Sequence, residues 1–92
     1  MADQAKRNFK AIVSDISEGF ISVNPLFLKS FDENAVKSLC KAIERRQIEI
    51  RTEPFPYDDI VLIRRRNIKL QRLYTALMII KNTARERRFK LI

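Results

Sequence analysis

Residues 57–88 read YDDIVLIRRRNIKLQRLYTALMIIKNTARERR, a run without glycine or proline. These two residues interrupt helices most strongly, so their absence over such a length predicts one long helix. The flanking residues agree. Pro56 suits a first turn, Asp58 and Asp59 complement the positive end of the helix dipole, and Arg85, Arg87 and Arg88 complement the negative end. Ile63, Leu70, Leu73, Tyr74, Leu77, Ile80 and Ala84 recur mainly at spacings of three, four and seven, which gathers them on one broad apolar face. An alternative places Ile60 to Arg64 in a strand and starts the helix near Asn67, a good N-cap.

Working back from this segment, the chain divides into two further helices and an apolar connector. Ala5, Phe9, Ile12, Val13 and Ile16 follow the spacing of a helical face over residues 3–18, with Asp3 as a cap and Gly19 as the left-handed terminator. The connector, residues 20–31 (FISVNPLFLKSF), is apolar enough that it should pack against something, and Asn24 with Pro25 suits the start of a short helical turn or a turn between two extended pieces. A capping-box spacing at Ser30 and Glu33 introduces a second helix over about 31–46, with Val36, Leu39, Cys40 and Ile43 as its apolar stripe. Residues 47–52 alternate, with Ile48 and Ile50 on one side, and read as a short strand or one arm of a hairpin. The expected fold is mainly α, with three helices at about 3–18, 31–46 and 57–88 in one small domain ending in a long helix.

Ninety-two residues, 46% apolar and 33% charged, can form a small packed core. No uncharged apolar run is long enough to span a bilayer, which predicts no integral membrane association. A secretory signal pattern is lacking and Cys40 is the only cysteine, so the reading is a protein of a reducing compartment, cytoplasmic, or nuclear in a eukaryote. There is no histidine, no cysteine pair, no phosphate-binding glycine loop and no nucleophile motif. These gaps predict a protein that is not an enzyme, with no cofactor, no metal and no small-molecule substrate. Asp58 and Asp59, with Glu53 nearby, are better explained as helix-start charges than as a Mg²⁺ site, and Cys40 as a buried small hydrophobe.

Charge is distributed unevenly. Residues 1–59 carry nine basic and ten acidic side chains, a net of −1, whereas residues 60–92 carry ten basic and one acidic, a net of +9. A field of that kind attracts polyanions and opposes self-association. Arg65, Lys69 and Arg72, at i, i+4 and i+7, line one side of the last helix, with Arg64, Arg66, Arg85, Arg87 and Arg88 in support. The leading functional expectation is therefore binding of a DNA or RNA phosphate backbone through these eight cations. The alternative is a protein-interaction subunit or inhibitor whose basic helix meets carboxylates on an acidic partner. A helix of some thirty residues spans roughly 45 Å, longer than the roughly 30 Å of a globule this size. Its overhang predicts a homodimer or heteromeric subunit, with Ile63, Leu70, Leu73, Tyr74, Leu77 and Ile80 as the interface.

Overall fold

The computed structural model describes residues 8–89 and is mainly helical, with α1 (Phe9–Glu18), α2 (Pro25–Leu28), α3 (Glu33–Thr52) and α4 (Ile60–Glu86). One device starts all four helices. Asn8, Asn24, Asp32 and Asp59 stand in extended backbone conformation, and each accepts a hydrogen bond through its side chain from the backbone N–H three residues on, at 3.0, 2.8, 2.8 and 3.1 Å. Each bond satisfies a donor that has no partner inside the helix.

These caps move three of the expected boundaries. Asp3 and Ala5 lie outside the described residues, and the helix that follows starts after Asn8. Asp32, rather than Ser30, caps α3, because its carboxylate stands directly before the first helical residue. The long helix begins at Ile60 instead of at residue 57, leaving Pro56 in the preceding loop, and Asn67 lies inside it.

The strand expected at residues 47–52 is the end of α3. Ile48 and Ile50, which alternation put on one side, face opposite ways: Ile50 is buried and Ile48 is 60% exposed. The inward stripe of α3 is Val36, Leu39, Cys40, Ile43, Gln47 and Ile50, at helical spacings of three and four. Gln47 interrupts the apolar sequence of that stripe, which is why residues 47–52 looked like a different element.

Gly19 ends α1 in the left-handed conformation (φ 85°), and its N–H donates back to the last turn while Phe20 N–H donates to the Asp15 carbonyl at 2.8 Å. The connector packs as its composition requires. Val23, Leu28 and Phe31 are buried, and Phe31 meets the rings of Phe27 and Phe9 with centroids 5.3 and 6.5 Å apart. They close one end of a core built from Val13 and Ile16 of α1, the inward stripe of α3, and Leu73, Ala76, Leu77, Ile80 and Ala84 of α4.

α4 is not buried along its length. Its 27 residues make a rod of about 40 Å in a molecule measuring 46 × 26 × 23 Å, yet every fully buried residue it contains lies at or beyond Leu73. Thirteen residues, from Ile60 to Arg72, precede the first buried one, a length of about 20 Å. Among the described residues no helix is long and apolar enough to cross a membrane.

The two halves of α4 should answer differently to truncation. Ile80→Ala, at a fully buried site, is expected to cost about 2–5 kcal/mol in chemical denaturation, and Leu62→Ala about 1 kcal/mol or less. Equal losses would place both residues in the same environment and contradict this division.

Candidate interaction surface

The rotation of α4 about its axis decides what its cations meet. Its inward stripe is Leu73, Ala76, Leu77, Ile80, Thr83 and Ala84, so a line continued toward the N-terminus along the same side passes through Lys69 and close to Arg72. Both face the end of α1. Lys69 Nζ lies 3.4 Å from Glu18 Oε2, and Arg72 Nη1 donates to the Ser17 carbonyl at 3.0 Å. That carbonyl belongs to the last turn of α1, where acceptors lack helical partners and the dipole favours a cation. The Arg72 guanidinium also lies against Gly19, where an added Cβ would come within 2.9 Å of its carbon. The chain's one glycine therefore serves a backbone turn and the seating of an arginine.

Arg87 repeats the device at the other end, where its Nη1 donates to the Leu28 carbonyl at the close of α2, at 3.0 Å, and its guanidinium stacks 4.4 Å from the Phe89 ring. Arg66 lies over Phe55, 5.1 Å from its centroid, and Phe55 in turn meets Tyr57 at 4.7 Å, so this arginine holds the loop before α4 against the helix. Of the eight cations expected to contact phosphate, Arg66, Lys69, Arg72 and Arg87 thus have partners within the chain. Arg64, Arg65, Arg85 and Arg88 are exposed and form no ion pair among the described residues. They fall in two groups, since Arg65 and Arg85 are twenty residues apart, about 30 Å along α4.

The six expected interface residues also separate. Leu73, Leu77 and Ile80 are in the chain's own core, Ile63 and Leu70 are half-buried, and Tyr74 is exposed. The apolar surface that is open lies closer to the start of the helix: Ile60, Val61, Leu62 and Ile68 are 71, 56, 46 and 41% exposed, with Tyr57 just before them. A signal for this was available in the run Ile60-Val61-Leu62-Ile63. Successive residues of a helix are about 100° apart, so four apolar residues in a row encircle it and cannot all face one core. A shallow outer concavity of about 550 Å³, which Arg72 also borders, runs along this end, lined by Ile60, Ile63, Arg64, Asn67, Ile68 and Gln71. Their spacing of three, one, three, one and three residues is that of a face on which a second helix lies.

The remaining candidate chemistries have structural roles. Asp59 spends its carboxylate on the α4 cap, and among the described residues no group of three histidine, cysteine, aspartate or glutamate side chains is placed to hold a metal. Cys40 is buried on the inward stripe of α3. Desolvation, reinforced by Glu44 and opposed by Lys81, pushes its thiol up to about 11 from the ordinary 9.0.

No protein-family model, curated protein or solved structure matches the chain.

Two outcomes check these assignments. Arg72→Ala should lower stability by about 1.5–3 kcal/mol, the range for a hydrogen bond made by a charged donor, whereas Arg64→Ala or Arg65→Ala should change it by about 0.5 kcal/mol or less. Equal effects would mean that the contact with α1 carries no stability. At pH 8, one unit below the ordinary thiol value and three below that of Cys40, the thiolate fraction falls from about a tenth to about a thousandth. Native Cys40 should therefore react with a disulfide reagent about a hundredfold more slowly than the denatured chain, and equal rates would show an open thiol.

Proposed function

We propose that the chain is a non-enzymatic docking module whose partner protein grips the N-terminal half of α4. The observation that supports this most is the exposed set Ile60, Val61, Leu62 and Ile68 on a rigid helix that runs beyond its own core. Burying an apolar side chain of this size contributes roughly 1.5–3 kcal/mol when complete, so covering four that are each about half exposed would contribute several kcal/mol before the costs of association. Solvation of a charged helix face does not account for four branched apolar residues at its start. Phosphate binding does not call for them either.

Charge indicates the chemistry of the partner. Arg64 lies in the outer concavity among Ile60, Ile63 and Ile68, Arg65 is exposed one residue on, and no acidic residue occurs between Asp59 and Glu86. A complementary surface has an apolar centre with aspartate or glutamate beside it. A second copy of this chain is a poorer occupant, since residues 60–92 alone carry +9. On this reading the cations speed encounter and set orientation, and the apolar residues carry the affinity.

A second reading, binding to a nucleic-acid backbone, draws on Arg64, Arg65, Arg85 and Arg88, which among the described residues have no ion pair and none of the carbonyl or ring contacts that hold Arg66, Arg72 and Arg87. Full engagement of four phosphates on duplex DNA would give a slope of about −3.6 in log affinity against log salt.

The full chain, purified with its bound material from native cells, separates the two. Docking predicts a protein partner that stays bound after nuclease digestion, is lost with Ile60→Ser and Leu62→Ser together, and is weakened but retained with Arg64→Glu and Arg65→Glu. Loss of the bound material on digestion, with the serine variant behaving as the parent, would overturn docking in favour of the nucleic-acid reading.

A further inference from the structure

A second basic surface lies where the charge distribution of the sequence shows none. Residues 1–59 have a net charge of −1, but folding brings Lys10 of α1 together with Lys41, Arg45 and Arg46 of α3 along one groove of about 680 Å³. Its apolar residues are Phe9, Val13 and Ala42, Ser14 and Ser38 stand beside them, and none of the lining residues belongs to α4. Glu49 is its one acidic member and is held by Arg46 at 3.3 Å. Lys10, Lys41 and Arg45 form no ion pair among the described residues. Three exposed cations without an ion pair among the described residues therefore border a trough whose apolar part is Phe9, Val13 and Ala42 and whose one carboxylate is already paired with Arg46.

The spacing explains how a chain of balanced composition makes such a surface. Ser38, Lys41, Ala42, Arg45, Arg46 and Glu49 recur at three, one, three, one and three, so they form a single stripe of α3, adjacent to its inward stripe. The other acids of the same helices, Asp15, Glu18, Glu33 and Glu44, are not among the groove's lining residues. From Ser38 to Glu49 the trough follows three turns of α3, about 16 Å.

We infer that the groove between α1 and α3 is a second docking site, and that its occupant is an acidic amphipathic helix of a partner protein. A trough between two helices is the natural seat for a third helix, whose apolar side chains, one per turn, would enter over Val13 and Ala42. Carboxylates flanking that apolar edge meet Lys10 on one wall and Lys41 and Arg45 on the other, which is the charge complementarity that fixes register and excludes basic helices. A phosphodiester backbone matches the walls but leaves the apolar floor uncovered. Another copy of this chain brings mostly further cations. This site stands on different residues from the α4 surface, and together they would let one small chain bridge two partner elements.

The test is a nuclear magnetic resonance titration of the ¹⁵N-labelled full chain with a synthetic helical peptide of about 25 residues, leucine at one position per turn, glutamate beside each leucine and alanine and glutamine elsewhere. Comparison probes are a peptide of the same composition with its leucines scattered, and single- and double-stranded oligonucleotides of similar length. The expected result is a set of shifts centred on Lys10, Ser14, Ser38, Lys41, Ala42 and Arg45, weaker binding of the scattered peptide, and at least a tenfold loss of affinity with Lys41→Glu and Arg45→Glu together. Both substitutions are at exposed positions, and an unchanged spectrum elsewhere confirms that the variant is folded. Arg64→Glu with Arg65→Glu should leave this binding as it was, which keeps the result separate from that for α4. The inference is overturned if the amphipathic peptide does not bind, if the scattered peptide or an oligonucleotide occupies the groove as tightly, or if the Lys41 and Arg45 variant binds undiminished.

Discussion

The structure depends on the seating of the last turns of α4 between α1 and α3. Leu73, Leu77, Ile80 and Ala84 are buried there against Val13, Ile16, Leu39 and Ile43, and a helix gripped at these positions has no freedom left to rotate. Because α4 is continuous, the orientation of every residue from Ile60 onward is set by that grip. Lys69 and Arg72 are turned toward α1, and Ile60, Arg64, Ile68 and Gln71 are turned outward. The core thus determines the outer surface at a distance, through the stiffness of one helix.

The cations of α4 accordingly do two kinds of work. Arg72 donates to a carbonyl in the last turn of α1, where partners are short and the dipole is negative, and Arg87, just past the end of α4, donates to the Leu28 carbonyl, which also accepts from Phe31 N–H. Lys69 adds a pair with Glu18 that is partly exposed and contributes little by itself. Those cations are best understood as clamps for a 92-residue chain whose small core leaves little stability to spare. The arginines outside the clamps are exposed beside open apolar residues at one end of α4 and beside the edge of the core, Ala84 and Phe89, at the other.

Much of this was legible in the residues. The helical class, the long last helix, Gly19 as a left-handed terminator, Asn24 with Pro25 at a short helical turn, and a buried Cys40 each followed from local chemistry. Residues 47–52 were misleading because a polar Gln47 occupies an inward position of α3, so that its apolar neighbours alternate by accident. The face of α4 was right at Leu73, Leu77, Ile80 and Ala84 but shifted by Tyr74 and Ile63, for a related reason. Ala76, Thr83 and Ala84 supply much of the true inward stripe, and small or polar residues register weakly beside Tyr74 and Ile63. A shift of part of a turn in that phase hid the contacts of Lys69 with Glu18 and of Arg72 with the Ser17 carbonyl, although Arg72 remains exposed. The groove of Lys10, Lys41, Arg45 and Arg46 could not be read from charge totals at all, because it exists only once two helices are side by side.

The central claim is that α4 is one helix with two environments, its second half fixed in the core and its first half covered by the chain on one side only. Amide hydrogen exchange of the isolated chain, followed residue by residue, tests this directly. Amides of residues 73–80 should exchange only through global unfolding, while those of residues 64–68 should exchange orders of magnitude faster through local opening. Uniform protection along the whole helix would contradict the account, because it would show that the chain itself already covers the surface assigned here to a partner.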